Sequence, residues 1–398
     1  MNIIEVHGLT KVFGKQATRA LTLLAKGKSR DAIHKETGQL VAVNQVNFSV
    51  RQGEVVVIIG LSGSGKSTLL RCLNRLVEPS AGSVHVDGTD ITRLSRKDLR
   101  SFRQRRFSMV FQHFALFPHF SVLRNVAYGL ELMKVPARER EEKALKALES
   151  VNLVNWAGAM PRQLSGGMKQ RVGLARALAL DPEILLMDEA FSALDPLTRH
   201  EMQGELLRLQ HALHKTIVFI THDLDEALSL GDKIILLHDG EIVQEGTPED
   251  ILSFPANDYV ASFVSHVDRS RVLTASSILA PVRSTVIPGI DGPLTALRKM
   301  RHHDMTNIFA IDEHHRLLGL ISEEDALALQ QRGERNLLAI LQREIPSAKM
   351  DDTLSSITRV MASLPHPLPV LDEAGILRGI IIRGGLLEAL SSETVVED

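Results

Sequence analysis

Five apolar residues, VVVII at 55–59, run directly into GLSGSGKST at 60–68, and the helical pattern TLLRCLNRL begins at the last of these. A continuous apolar strand that passes at once through a glycine-rich turn into a helix belongs to an α/β unit with a largely parallel sheet. The pattern Gly, four residues, Gly-Lys-Ser/Thr is that of a phosphate-binding P-loop. Its glycines let backbone amides close around phosphate oxygens, and the helix N-terminus adds a favourable dipole. Gly60, Leu61, Ser62, Gly63, Ser64, Gly65, Lys66, Ser67 and Thr68 are therefore expected to bind a nucleotide. Lys66 would neutralise the β- and γ-phosphates, and the Ser67 hydroxyl would ligate Mg²⁺.

Further apolar runs share the character of a strand buried on both faces: ILLM at 184–187, TIVFI at 216–220 and KIILL at 233–237. They alternate with helical patterns, such as the surface helix expected at 139–150. The run at 184 ends in two carboxylates, ILLMDEA. After a P-loop, Asp188 at the strand end is suited to hold Mg²⁺, and Glu189 to polarise a water for in-line attack on a γ-phosphate.

At 398 residues the chain exceeds one ordinary domain, and 44% hydrophobic against 24% charged residues is a globular composition. Lys plus Arg number 46 against 48 Asp plus Glu, a net charge of −2 that leaves no electrostatic footprint for nucleic acid. The single cysteine, Cys72, excludes an internal disulfide framework and fits a reducing compartment. The start, MNIIEVHGLTKVF, is unlike a secretory signal, and no apolar run reaches the length of a membrane span. The chain is expected in the cytoplasm, held at a membrane only through other subunits.

From about Arg271 the sequence repeats itself. A shift of 60 pairs Ile311 with Leu371, Asp312 with Asp372, Glu313 with Glu373, Leu317 with Leu377, Gly319 with Gly379 and Ile321 with Ile381. Matches at one fixed offset indicate two copies of one supersecondary unit. The expected organisation is a domain over 1–265, a linker over 266–275, a first repeat over 276–335 and a second over 336–398.

LSGGM at 164–168, followed by KQRVGLARALALDPE, resembles the signature of ATP-binding cassette proteins. Met168 stands where the family usually has Gln, but Ser165 and the amides of Gly166 and Gly167 at a helix start remain phosphate donors. The resemblance extends to Gln112 in VFQHFALFPH as the Q-loop glutamine near Mg²⁺ and water, and to Ser192–Asp195 (SALD) as the D-loop. It also covers His222 in ITHD as the switch histidine, and Phe13 in LTKVFG as the aromatic residue that stacks on adenine. It implies a P-loop NTPase cassette with a helical subdomain, catalytic Glu189, His222 and Gln112, and ATP and Mg²⁺ as ligands. It further implies a homodimer in which Ser165 of one cassette and the P-loop of the other enclose ATP.

Across essentially the whole chain the resemblance is to ATPase subunits of importers for glycine betaine, proline betaine and related quaternary amines. It rests on the insertion ATRALTLLAKGKSRDAIHKETG at 17–38, the string MDEAFSALDPLTR and the paired tail repeats, which resemble tandem cystathionine-β-synthase-type modules of α+β form. The implied partners are integral membrane permease subunits, a substrate-binding protein reached through them, and no nucleic acid; the implied place is the cytoplasmic face of the inner membrane. The apolar stretch after Gln112 would offer the permease a groove. Choline, carnitine, proline or histidine stay open as cargo, because other subunits choose it. For the tail, an adenine nucleotide, a cyclic dinucleotide and ionic-strength sensing are alternatives. Ser322 and Asp325 fit a ribose contact that Ile382 and Gly385 do not repeat.

Other classes fit less well. Chromosome-maintenance cassettes place a long coiled coil before the signature, where only 52 positions separate Gln112 from Leu164 here. Translation-associated cassette proteins usually carry two cassettes, and a pure nucleotide sensor would not need Glu189.

Overall fold

The computed structural model describes residues 1–112, 114–265 and 267–391. The chain divides into two units, Met1–Val264 and the remainder from Ser265 onward.

In the first unit, β1 (Asn2–Phe13) pairs antiparallel with β2 (Leu40–Arg51), and α1 (Ala17–Ala25) and α2 (Arg30–Thr37) form the insertion between them. The insertion closes on a small core of its own: Val12, Ala20, Leu23, Ile33 and Val41. Ser29 caps α2 by accepting from the Ala32 N–H, and Gly38 ends it in the left-handed conformation.

Next come β3 (Val55–Ile59), α3 (Lys66–Leu73), β4 (Ala81–Val86), β5 (Thr89–Asp90), α4 (Arg96–Arg106) and β6 (Phe107–Phe111). A helical layer of α5 (Val122–Leu132), α6 (Ala137–Glu149) and α7 (Gly166–Leu178) follows. The unit is completed by β7 (Ile184–Asp188), α8 (Pro196–Leu213), β8 (Thr216–Thr221), α9 (Leu224–Leu230), β9 (Lys233–His238), β10 (Glu241–Gly246), α10 (Pro248–Ser253) and α11 (Asp258–Val264).

Two sheets result, β2-β1-β4-β5 and β10-β9-β3-β8-β7-β6. In the second, β9, β3, β8, β7 and β6 run parallel, and only β10 is antiparallel. Every residue of β3, β7 and β8 is buried, which is why these strands read as unbroken apolar runs rather than as alternation. Cys72 lies in the core between the sheets, where burial pushes its thiol up to about 12.

The tail forms two three-stranded sheets, β11 (Thr285–Val286), β12 (Asn307–Ile311) and β13 (Leu317–Ser322), then β14 (Ala348–Lys349), β15 (Leu368–Leu371) and β16 (Leu377–Ile381). Helices α12 (Pro293–His302) and α13 (Glu323–Gln331) belong to the first, α14 (Leu354–Met361) and α15 (Arg383–Leu390) to the second. The repeat is visible in detail at its matched aspartates. Asp312 Oδ1 accepts from the N–H groups of His314 and Arg316 at 2.9 and 2.8 Å, and Asp372 Oδ1 from those of Ala374 and Ile376 at 3.0 and 2.9 Å. These backbone bonds, first among the causes, hold both carboxyls below their ordinary range.

One boundary needs correction. Leu273 and Ala275, expected in a linker over 266–275, are buried in the core of the second repeat with Leu354, Ile357 and Val370. Ala275 N–H donates to Asp352 O at 2.9 Å and Leu354 N–H to Leu273 O at 2.9 Å. The segment that leads into the first repeat is therefore structural material of the second.

Candidate functional site

The C-terminal ends of four neighbouring parallel strands, β3, β8, β7 and β6, carry the P-loop, His222, Asp188–Glu189 and Gln112 respectively. Ligand sites in open α/β sheets form at these strand ends. The P-loop fits tightly over its neighbours: a Cβ on Gly60 would lie 2.1 Å from Leu237 O, and one on Gly65, at φ +102, 2.1 Å from Ala42 O. Only glycine permits that approach.

Lys66, 5% exposed, turns its ammonium back on the loop and donates to Gly60 O at 2.6 Å and Leu61 O at 3.0 Å. Burial lowers its pKa, and the nearby carboxylates of Glu189 and Asp188 oppose that shift. A buried cation on carbonyl oxygens, with the Ser64 hydroxyl buried beside it and lacking a partner, is a cradle suited to an anion of high charge.

Asp188, itself buried, accepts from the Ser67 hydroxyl at 2.9 Å through Oδ1 and pairs with Arg71 Nη2 at 3.2 Å through Oδ2. This pairing of hydroxyl and carboxylate is an all-oxygen donor set of the kind Mg²⁺ takes. No motif marks Arg71, although its place four residues after Ser67 puts both on one face of α3.

Glu189 adopts φ +47, and its N–H donates to Ile220 O at 3.0 Å, so the neighbouring strand fixes the turn. Its Oε2 accepts from Gln112 Nε2 at 3.1 Å and lies 3.5 Å from His222 Nδ1. Gln112 also donates to Ser192 Oγ at 3.2 Å, and Ser192 donates to Glu189 O at 3.0 Å. Two residues from separate strand ends, Gln112 and His222, thus converge on one carboxylate oxygen of Glu189.

The remaining predicted residues lie elsewhere. Ser165 caps α7, accepting from the Met168 N–H at 3.3 Å, and Ser165 and Gly166 are exposed. Among the described residues, the signature makes no hydrogen bond to the P-loop, Asp188, Glu189 or His222. Asp195 caps α8 through the Thr198 N–H at 3.1 Å, the bond chiefly responsible for its lowered pKa. Phe13 is 40% exposed at the end of β1, with the Lys11 ammonium 4.8 Å from its ring centroid.

In the helical layer a groove of about 440 Å³ is lined by Phe111, Phe117, Tyr128, Leu132, Met133 and Arg176 among others. No helix among the described residues is long and apolar enough to cross a membrane.

The family model described as ABC transporter matches residues 43–192, and that of the CBS domain matches 285–332 and 338–392. The glycine betaine/carnitine transport ATP-binding protein GbuA of Listeria monocytogenes is 48% identical, over 99% of this chain and 99% of its own. This chain is an ATP-binding protein of the ABC transporter family. The glycine betaine transport ATP-binding protein OpuAA of Bacillus subtilis is also similar to this ABC protein, 50% identical over 98% of this chain and 92% of its own. Among solved structures, the dimeric post-hydrolysis state of the ATP-binding cassette MJ0796, bound to ADP and Pi, matches with TM-score 0.52 and 33% identity. It covers 62% of this chain and 98% of that one. The ABC subunit thus hydrolyses ATP in the service of transport.

Proposed function

We propose that this subunit energises the import of quaternary-amine osmoprotectants of the glycine betaine type, working as a homodimer on the cytoplasmic face of the membrane. Similarity along nearly the whole chain to ATP-binding proteins of glycine betaine and carnitine transport supports the cargo class. The observation that carries the catalytic reading is the convergence of Gln112 and His222 on Glu189 Oε2.

Ser67 and Asp188 would hold Mg²⁺, with Gln112 at hand, and the ion supplies positive charge to the β- and γ-phosphates of ATP. Lys66, released from Gly60 O and Leu61 O, donates to the phosphate oxygens. Phe13 offers its open ring face to the adenine. Glu189 orients a water and draws on its proton as the oxygen attacks the γ-phosphorus; the bond to the β-phosphate oxygen breaks and ADP leaves. His222 steadies Glu189 and the transferred group.

The helix start at Ser165, Gly166 and Gly167, exposed at its first two residues, supplies amide donors to ATP held by a partner cassette, with Asp195 near the same junction. The dimeric cassette of similar fold supports that arrangement. The aromatic groove of the helical layer receives a permease segment, and the substrate-binding protein acts through the permease. The tail regulates. A cleft of about 200 Å³ lined by Arg283, Ser284, Thr306, Asn307, Phe309 and Pro367 offers polar and aromatic contacts to part of an adenine nucleotide or cyclic dinucleotide.

Reconstitution with its permease and binding protein in vesicles tests the cargo class. ATP-dependent uptake of labelled glycine betaine, competed by carnitine or choline, is expected. Uptake of proline or histidine alone would overturn the assignment.

A further inference from the structure

One turn into α8, Arg199 reaches two loops at once. Its Nη2 donates to Leu194 O in the SALD loop at 3.2 Å, and its Nη1 to Asp223 Oδ2 at 3.1 Å, one residue beyond His222. The Nε of the same guanidinium is buried without a partner. A second link runs beside the first: Gln203 Nε2 donates to Glu226 Oε1 at 3.1 Å. Arg199 and Gln203 share a face of α8 at four-residue spacing, and Asp223 and Glu226 share the start of α9 at three.

The far end of this bridge is firmly set. Asp223 N–H donates to Thr221 Oγ at 3.0 Å, and Asp223 Oδ1 accepts from the Glu226 N–H at 3.3 Å. Glu226 is buried against the Thr221 hydroxyl. The turn that carries His222 is thereby fastened to α8, and α8 starts in the SALD loop.

We propose that Arg199 is a positioning residue for His222, tying the SALD loop to the histidine turn so that a shift of that loop reaches the His222–Glu189 pair. The inference rests on the roles given above to His222 and Glu189. A guanidinium suits the task because its planar fork holds two donors at fixed spacing, which a lysine cannot do. Its unpaired Nε–H is a further donor for an acceptor that a shifted loop presents.

The test uses the full-length chain in the assembled transporter. Arg199→Met keeps the aliphatic stem and removes the fork. Its turnover should fall at least about tenfold while half-saturating ATP and the binding of a fluorescent ATP analogue change less than about twofold. In single-turnover assays the penalty should shrink to less than about twofold when His222 is already Ala, because both changes then remove one function. Should Arg199→Met fail to fold, Asp223→Asn cuts the same link from the other side and carries the same expectation. A loss expressed in ATP affinity, unaltered turnover, or an undiminished penalty in the His222→Ala background would overturn the bridge. So would failure of both variants to fold, which would mark a tie that serves only stability. Normal turnover in His222→Ala alone would instead overturn the role of the histidine, and this inference with it.

Discussion

Arg316 and Ile376, 60 residues apart, face each other across an antiparallel bridge, and the bonds around them are exchanged. Leu317 N–H donates to Gly375 O at 3.1 Å, and Leu377 N–H to His315 O at 3.0 Å. The 60-residue shift maps each bond onto the other, so a local pseudo-two-fold axis passes between the two residues. The next matched pair, Gly319 and Gly379, is crowded by chain from the opposite repeat's lead-in. A Cβ on Gly319, at φ +152, would stand 2.3 Å from Gln342 O, and one on Gly379 would stand 2.8 Å from Ala280 O.

Gly319→Ala should therefore destabilise the tail by about 1–3 kcal/mol, the range for a strained backbone held in place. Gly384, inside α15 with open space at its Cβ, is the control. There Ala should be neutral or mildly stabilising. Amide exchange over β13 and β16 measures both, and equal protection in the two variants would contradict the packing argument.

The layout of the candidate site is largely legible in the sequence because it sits where local patterns are strongest. The P-loop, Asp188–Glu189 and His222 each follow an apolar run, and burial of β3, β7 and β8 on both faces produces those runs. What stayed hidden depends on contacts between distant segments. Leu273 and Ala275 carry no local sign that they complete a core built mainly from residues beyond 348. The link from Arg199 in α8 to Asp223 likewise joins segments whose proximity arises only when α8 packs beside α9.

Glu189→Gln keeps the side-chain volume and leaves Asp188 and Ser67 untouched, but an amide cannot draw on a water proton. Steady-state hydrolysis should fall about 10²-fold or more, the typical weight of general-base catalysis, with ATP binding preserved. Near-normal turnover in the purified variant would remove Glu189 from its role.

Because Ser165 is exposed and, among the described residues, bonded only within its own helix start, its target should be supplied by a second cassette. Mixing Ser165→Arg with Lys66→Ala chains would build one site with both lesions and one with neither. Mixed dimers should recover hydrolysis that neither variant shows alone. Absence of recovery, with mixed dimers demonstrated, would argue against sites shared between protomers.

The tail prediction follows from how the two units are built. Every residue assigned to ATP chemistry falls before Val264, where the first unit ends, while the second has separate cores of its own. Ser322 caps α13, accepting from the Asp325 N–H at 3.0 Å and donating to Asp325 Oδ2 at 2.6 Å, and Ile382 at the matching start of α15 offers no such cap. Under the role proposed above, the tail binds an effector. Effector binding acts by biasing an equilibrium, usually by about 1–3 kcal/mol, or roughly 5- to 150-fold. The cut belongs after Val264, because one placed further on would leave part of the tail attached without the repeat it packs against. The truncated subunit, assembled with its permease, should retain basal hydrolysis and lose the response to ionic strength, adenine nucleotide or cyclic dinucleotide. Parallel assays of full-length and truncated complexes across salt and effector concentration decide the matter. If the truncated complex keeps the whole response, or stays assembled yet loses hydrolysis outright, the tail is not the regulator.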